Sequence, residues 1–288
     1  MQVVFLCVGA AKAGTSWLFR QLSVHPDCHF RAIKELHYFD ALDAGRLERQ
    51  AARHAAEHYK LQNRLAEAGR EPGPGEARWL QDRADWLTVL DRGGEDLPAY
   101  LDYLGAGAGA AQVVGEMTPA YALLEPERLG RMARMAGDVR VLYLVRDPVE
   151  RLWSHVRMIA ARRDGAGRAE AARCGRIFDR VLAGGETEIA ARGDYGAALA
   201  RLAAAVPGAK LLIEVFEEMV AGAGLARICD FLGIGRVAGA LAPVHAGQPV
   251  AMTADQRLRA GDWLAPQYEA AEAALGRTPG AWGRKGVD

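Results

Sequence analysis

Cysteine is scarce in this sequence, and the few cysteines are not spaced as a disulfide or zinc framework. Only Cys7, Cys28, Cys174 and Cys229 occur among 288 residues, and no two of them form a C-x-x-C pair. Cys7 lies in an apolar run and Cys229 in an apolar helical segment, which is typical of buried thiols in a reducing compartment. The seven histidines also lack the spacing of metal ligands. We therefore predict a cytoplasmic protein without a structural metal.

Long hydrophobic runs and an excess of charge are absent as well. No run approaches the ~18 apolar residues that a membrane-spanning helix needs. Lys and Arg total 36, as do Asp and Glu, so the formal net charge is zero and nothing attracts the whole chain to nucleic acid or membranes. The composition is that of an ordinary globular protein. Because the first strand is predicted to begin at Val3, we expect no signal peptide ahead of it.

What the sequence does contain is a strand–turn–helix signature near its start. Residues 3–8 form an apolar, β-prone run, which predicts a strand buried on both faces, as in a parallel sheet. Residues 9–14 form a turn of small residues, and a helical pattern begins at Thr15. The backbone N–H groups of such a turn and the helix dipole favour a bound anion. The stretch therefore predicts a phosphate-binding loop.

This loop departs in one respect from the nucleoside-triphosphate signature G-x-x-x-x-G-K-[ST]. Gly9 and Gly14 have the required separation and Ser16 stands at the Ser/Thr position, but Thr15 replaces the lysine. The lysine lies inside the turn instead, as Lys12. Lys12 is therefore predicted to meet the anion from the other side of the loop. An ordinary strand–turn–helix with a solvated lysine is the alternative interpretation.

Further apolar runs predict a central parallel sheet flanked by helices. These runs cover residues 28–32, 112–115, 139–145 and 210–215. Arg146 follows the third of them and is predicted to leave the carboxyl end of a strand beside the first one, where ligands bind in open α/β sheets. Its planar guanidinium suits a phosphate, and Ser154, on a helix predicted over residues 149–161, adds a hydroxyl. Arg151 and Arg157 are alternatives, either as phosphate ligands or as plain surface arginines.

A polar segment after the second predicted strand carries a candidate general base. Glu35 and His37 stand there among aromatic residues, within residues 33–40. If the second strand lies beside the first, its end also emerges near the phosphate loop, where Glu35 could accept a proton with His37 as its neighbour. The alternative is a surface loop whose charges are simply solvated.

Two longer regions are predicted in outline. Residues 41–110 show helical spacing and are predicted to form a helical insertion within a single domain of residues 1–288. Its tryptophans, Trp79 and Trp86, either line an acceptor site or pack in the core. Residues 162–193 are polar and glycine-rich, which predicts a mobile loop with one short helix.

Thr118, followed by proline, predicts the N-cap of a helix.

Three of these segments together resemble the sulfotransferases that use 3′-phosphoadenosine 5′-phosphosulfate (PAPS), especially the heparan sulfate sulfotransferase type and its bacterial relatives. The segments are GAAKAGTSWL (9–18), KELHYFD (34–40) and VLYLVRDPVERLWSH (141–155). A further segment, GEMTPAY (115–121), is similar to one in the family, although Met117 replaces a lysine that is common there. The resemblance covers most of the chain apart from residues 41–110.

This resemblance implies a P-loop-like sulfotransferase fold that binds PAPS and requires no metal. It implies that Lys12 contacts the bridging oxygen of the phosphosulfate and that Arg146 and Ser154 bind the 3′-phosphate. Glu35 is then the base for an acceptor hydroxyl or amine, with His37 as a helper or as the base itself. The implied cofactor-binding residues are Lys12, Ala13, Gly14, Thr15, Ser16, Trp17, Arg146, Ser154 and Tyr195.

The implied acceptor is a carbohydrate or a small molecule rather than a nucleic acid. Both a monomer and an oligomer are compatible with the sequence.

One alternative to a sulfotransferase is a P-loop kinase of a small metabolite. The displaced Lys12 argues against it, and so does the position of Asp147, one residue late for a magnesium ligand. The other is a nucleotide-binding protein that has lost catalysis. Met117 favours that alternative, whereas the presence of both Lys12 and Glu35 opposes it.

Overall fold

Five parallel strands form one sheet, in the order β2-β3-β1-β4-β5. The computed structural model describes residues 2–165, 167–238 and 250–282. The strands are β1 (Val3–Gly9), β2 (Cys28–Phe30), β3 (Val113–Met117), β4 (Val139–Val145) and β5 (Leu211–Val215). All four strand pairings are parallel, and helices flank the sheet. The predicted fold class is confirmed.

The central position of β1 explains its composition. All seven of its residues are buried, and it pairs with β3 on one side and with β4 on the other. A strand with neighbours at both edges and cover on both faces has no solvent side, so it is apolar throughout rather than alternating. Since β4 adjoins β1, Arg146 does leave the strand beside the first one, as predicted.

The position of β2 in the sheet differs from the one expected from the sequence. β2 pairs with β3, which separates it from β1, so the assumption that the first two strands are neighbours is wrong. Strand order is set by crossover connections and by helix packing on the sheet, which a local apolar pattern does not encode. The Glu35 segment therefore meets the sheet at the end of β3, where the N–H of Leu36 donates to Glu116 at 3.3 Å.

Fourteen α-helices occur in the described residues, and none of them is both long and apolar enough to cross a membrane. They are α1 (Thr15–Ser23), α2 (Tyr38–Asp43), α3 (Leu47–Glu67), α4 (Pro74–Leu90), α5 (Leu97–Gly105), α6 (Pro126–Met132), α7 (Pro148–Asp164), α8 (Ala171–Leu182), α9 (Thr187–Ala191), α10 (Tyr195–Ala205), α11 (Phe216–Val220), α12 (Ala223–Leu232), α13 (Ala254–Trp263) and α14 (Ala265–Leu275).

The region 41–110 is helical, as predicted, and its aromatic side chains pack inward. Trp86 of α4 is completely buried, with its ring 5.6 Å from that of Tyr38 and 6.3 Å from that of Tyr100. Trp79 is partly buried, and the guanidinium of Arg83 lies 4.1 Å from the centre of its ring. The packing interpretation is therefore the right one for Trp86.

Residues 162–193 are far more helical than predicted. α7 continues to Asp164, and α8 and α9 occupy most of the chain between Ala171 and Ala191, so the expectation of a mobile loop with one short helix is wrong. The buried residues of α8 recur at helical spacing between arginines and a glycine, which obscure the pattern. α13 has no counterpart among the predicted helices, although a capping box from Thr253 to Gln256 marks its start.

Thr118 is the N-cap residue of a short 3₁₀ helix, Pro119–Leu123, with Pro119 in its first turn as predicted, but its side chain does not cap that helix. Its hydroxyl donates instead to the carboxylate of Glu116, at 2.5 Å. A carboxylate is a strong hydrogen-bond acceptor, and it determines where this hydroxyl points.

Candidate active site

The carboxyl ends of β1 and β4 lie side by side and carry the residues predicted to bind an anion. The loop after β1 leads into α1, which begins at Thr15 with Gly14 as its N-cap. Ala13, Thr15 and Trp17 are buried, and Ser16 is partly buried. The N–H groups at the start of α1, together with the positive end of its dipole, favour a negative charge at this loop.

Gly14 has to be a glycine for two reasons. Its φ is 89°, a left-handed conformation that residues with a side chain rarely adopt. A Cβ here would also overlap the ring of Phe216 and would lie 3.2 Å from the terminal methyl carbon of Met219. Phe216 begins α11 directly after β5. The loop after β1 is therefore packed against the chain that leaves β5.

Lys12 lies inside this loop and faces α7. Its ammonium nitrogen is 3.7 Å from the sulfur of Met158. Burial lowers the pKa of Lys12, and nearby arginines, foremost Arg162, lower it further, whereas the charge of Glu35 acts in the opposite direction. Lys12 and Glu35 therefore share one electrostatic neighbourhood despite their separation in the chain.

Arg146 reaches the same loop from the end of β4. Its Nη1 donates to the backbone carbonyl of Lys12 at 3.3 Å, and its guanidinium lies 4.8 Å from the centre of the Phe216 ring. Phe216 thus contacts both the loop and Arg146. Phe216 was not among the predicted site residues, although an aromatic residue directly after a predicted parallel strand could have indicated a place at the carboxyl edge of the sheet.

Tyr195, the first residue of α10, is completely buried and holds the backbone of Arg146. Its hydroxyl accepts a hydrogen bond from the N–H of Arg146 at 3.0 Å and donates to the carbonyl of Arg146 at 2.7 Å. Tyr195 therefore contributes to the site indirectly, by fixing the backbone of Arg146.

Ser154 is partly buried on α7, one helical turn before Met158. Residues four apart lie on the same face of a helix. Because Met158 contacts Lys12, Ser154 lies on the face of α7 that runs along the loop after β1. The structure thus brings Lys12, Arg146 and Ser154 to one edge of the sheet.

Buried nitrogen atoms without hydrogen-bond partners concentrate on the segment after β4. Among the described residues they include Nε of Arg146 and Arg157, Nε and Nη1 of Arg151, and Nδ1 of His155. These three arginines form no salt bridge in the described part of the chain, whereas the nearby Arg163 pairs with Glu186 at 2.7 Å. Burial and the charge of Arg151 lower the pKa of His155 to about 3, so it is neutral. Positive charge with spare N–H donors favours a multiply charged anion.

Glu35 and His37 form an ionised pair at neutral pH. Burial acts to raise the pKa of Glu35, but the hydrogen bond from His37 and the charge of Lys34 lower it to about 2. Burial acts to lower the pKa of His37, but its bonds to Asp40 and Glu35 raise it to about 9. The distances are 2.5 Å from Lys34 to Glu35, 3.6 Å from His37 to Glu35, and 2.8 Å from His37 to Asp40. In this state Glu35 has free lone pairs and His37 is an imidazolium.

The backbone sets these residues apart as well. Lys12, Glu35 and His37, with φ of 70°, 64° and 54°, are the only non-glycine residues with positive φ in the described ranges. Left-handed backbone costs a residue with a side chain roughly 1–2 kcal/mol. Such conformations cluster at functional sites, where the surrounding structure enforces them.

Two further positions have structural roles. Met117 is completely buried on β3, in register with Cys7 of β1, so its side chain belongs to the core. Asp147 caps α7: its carboxylate accepts from the N–H of Glu150 at 2.9 Å and from the hydroxyl of Tyr268 at 3.0 Å. Within the described ranges, no group of three or more His, Cys, Asp or Glu residues is arranged to hold a metal ion.

Residues 5–236 match the model of a known protein family, described as the sulfotransferase family. The chain belongs to the sulfotransferase family. The resemblance noted in the sequence is thereby confirmed, and the matched span of this sulfotransferase runs through the helical region 41–110. No curated protein matches the sequence.

Solved sulfotransferase structures have the same fold. The sulfotransferase from Alicyclobacillus acidocaldarius is 23% identical with a TM-score of 0.63, covering 98% of this chain and 99% of that one. The sulfotransferase domain of the Synechococcus PCC 7002 olefin synthase is 16% identical with a TM-score of 0.54, covering 96% of each chain. The sulfotransferase domain from the curacin biosynthetic pathway is 15% identical with a TM-score of 0.54, covering 96% of this chain and 98% of that one.

Proposed function

We propose that this sulfotransferase uses PAPS as donor and transfers its sulfuryl group to a hydroxyl or amine of a carbohydrate or small-molecule acceptor. The observation that carries the proposal is the gathering of Lys12 and several unpaired arginines at the edge of the sheet where α1 begins. Glu35 adds a carboxylate in the same electrostatic neighbourhood. We further propose one cytoplasmic catalytic domain over residues 1–288.

The residues present fit a donor with two separate anionic groups. The loop and the start of α1 offer N–H and hydroxyl donors to the 5′-phosphosulfate, and Arg146 with Ser154 offers donors to the 3′-phosphate. The Nε of Arg146, buried and without a partner among the described residues, supports this assignment. The loop residues assigned to the 5′ end are Ala13, Gly14, Thr15, Ser16 and Trp17. Tyr195 contributes by fixing Arg146.

Lys12 is assigned to the charge that develops on the bridging oxygen. PAPS supplies a sulfuryl group with less negative charge than a phosphoryl group, so an ammonium can take the place of a metal ion. A preorganised cation at the position where charge develops is usually among the larger contributions to catalysis. The requirement for no metal stays a prediction.

Glu35 is assigned the role of general base. Its lone pairs can accept the proton of an acceptor hydroxyl or amine, and a positioned base typically contributes ~10²–10⁴-fold in rate. His37 is protonated at neutral pH, since its pKa is raised to about 9, so it orients Glu35 rather than accepting the proton.

The proposal is tested by titrating the protein calorimetrically with adenosine 3′,5′-bisphosphate. We expect binding that is lost in Arg146→Ala, weakened in Ser154→Ala and unchanged in Arg163→Ala, the control, because Arg163 is occupied by Glu186. Binding of ATP–Mg²⁺ instead would point to a kinase and overturn the proposal. A transfer screen with [³⁵S]PAPS over carbohydrates and small hydroxyl and amine compounds then identifies the acceptor class.

A further inference from the structure

Glu116, on β3, is a buried carboxylate outside the candidate active site. It is only 2% exposed. One of its oxygens accepts from the hydroxyls of Tyr100 and Tyr121, each at 2.7 Å. The other accepts from the hydroxyl of Thr118 at 2.5 Å and from the N–H of Leu36 at 3.3 Å. Burial raises the pKa of Glu116, and these four donors oppose that rise. A carboxylate has enough lone pairs to accept from all four.

Two of these contacts lead to the segment that carries His37. Leu36, whose N–H is bound by Glu116, precedes His37 directly. Tyr38 follows it, and the N–H of Tyr38 donates at 3.0 Å to the same Tyr121 hydroxyl that donates to Glu116. The amides on both sides of His37 are therefore tied to the carboxylate of Glu116, one directly and one through a single hydroxyl.

The backbone of residues 35–38, which these hydrogen bonds hold, contains two unfavourable conformations. Glu35 and His37 both have positive φ, and the anchored amides of Leu36 and Tyr38 alternate with them. Left-handed conformations of this kind persist where the surrounding structure over-determines them. The alternation means that the anchors fix the direction in which each of the two side chains leaves the backbone.

We propose that Glu116 is a positioning residue for sulfuryl transfer, which holds Glu35 and His37 in their working orientation without touching a substrate. This inference rests on the proposed function, because that function makes Glu35 the base. A base has to lie within hydrogen-bond reach of the proton that it accepts, and a small displacement lowers the rate steeply. Loss of the anchor should therefore reduce kcat and leave nucleotide binding intact.

Two tyrosines provide a matched test. Tyr100 and Tyr121 are both completely buried and donate to the same oxygen of Glu116 over the same distance. Only the Tyr121 hydroxyl also holds the N–H of Tyr38. Tyr121→Phe and Tyr100→Phe therefore remove equivalent bonds from Glu116, but only Tyr121→Phe releases the segment that carries His37.

The first measurement is the pKa of His37, followed by NMR of the histidine ring and assigned with His37→Gln. This measurement needs neither PAPS nor an acceptor substrate, so it tests the inference even if the protein does not use PAPS. We expect the raised pKa to fall toward its ordinary value in Tyr121→Phe and to stay raised in Tyr100→Phe. Equal pKa values in the two variants would overturn the role given to Glu116.

The second measurement is steady-state kinetics with PAPS and the acceptor found by the transfer screen. Tyr121→Phe should lower kcat on the order of tenfold or more with little change in the KM for PAPS, whereas Tyr100→Phe should keep kcat near the wild-type value. Glu116→Gln should behave like Tyr121→Phe if it folds. A general loss of structure would affect both tyrosine variants alike, and that result would also contradict the proposal.

Discussion

One hydroxyl holds the backbone of Arg146 from both sides: the Tyr195 hydroxyl accepts from its N–H at 3.0 Å and donates to its carbonyl at 2.7 Å. Arg146 follows β4 and Tyr195 begins α10, so the contact joins the end of a central strand to the start of a distant helix. Because this anchor is to the main chain, it uses none of the side-chain donors of Arg146, and Nε stays without a partner among the described residues.

Replacing Tyr195 by phenylalanine should therefore weaken nucleotide binding although Tyr195 itself is buried. Two backbone groups of Arg146 lose their partner, which should lower the free energy of unfolding by about 1–3 kcal/mol. Calorimetry should show a lower affinity for adenosine 3′,5′-bisphosphate. Tyr143→Phe is the control, because Tyr143 is buried edge-on against Tyr195 but forms no hydrogen bond to Arg146 within the part of the chain described. Equal affinity in Tyr195→Phe and wild type would contradict this role.

Gly14→Ala should destabilise the protein by more than the cost of its left-handed backbone conformation alone. Gly45 provides the comparison, because its φ of 61° is also left-handed but a Cβ there would meet nothing within 4 Å. Gly45→Ala should cost roughly 1–2 kcal/mol of stability. Gly14→Ala should cost more and abolish nucleotide binding, since the added methyl group displaces Phe216. Denaturation and calorimetry of both variants check this, and equal losses would contradict it.

Glu35→Gln should abolish transfer while leaving nucleotide binding in place. The amide keeps the size of the side chain but cannot accept the acceptor proton, so the rate should fall by ~10²–10⁴-fold. The [³⁵S]PAPS assay measures the loss, and calorimetry with adenosine 3′,5′-bisphosphate provides the control. Unchanged turnover would remove Glu35 from the role of base.

Lys34→Met should shift the acidic limb of the pH profile upward. Lys34 helps to hold the pKa of Glu35 at about 2, so Glu35, the proposed base, stays ionised on acidification. Without that charge the pKa should rise toward the ordinary value of 4.5, and kcat/KM should fall at a higher pH than in wild type. Lys60→Met, on the exposed face of α3, is the control. Coinciding profiles of wild type and Lys34→Met would argue against the pairing.

The stability of the protein should depend on pH through His37. Its pKa is raised from 6.5 to about 9 in the folded state, so the stabilisation is fully present below 6.5 and is lost as the pH rises through 9. The loss should amount to at most about 3 kcal/mol. Urea denaturation across this range should show it in wild type and show much less in Asp40→Asn, which lacks the closest partner of His37. The same slope in both would contradict the assignment.

Much of the sheet could be predicted because its strands are short, mostly apolar runs. β1, β4 and β5 were recognisable from such runs, and so was the position of Arg146 at the end of β4. The order of the strands was not, because nothing local distinguishes β2 next to β1 from β2 next to β3. The helical nature of residues 162–193 was also missed, since its apolar spacing is interrupted by arginine and glycine.

The sequence by itself determined the glycine turn after β1, the displaced Lys12, the arginine and serine after β4, and membership of the sulfotransferase family, because these depend on residue types at fixed spacing. Only the tertiary structure decided which side chains support them. Tyr195 behind Arg146, Phe216 against Gly14, and Glu116 beneath the segment that carries Glu35 all come from distant parts of the chain. Such contacts arise when helices and strands pack on the sheet, so no local pattern records them.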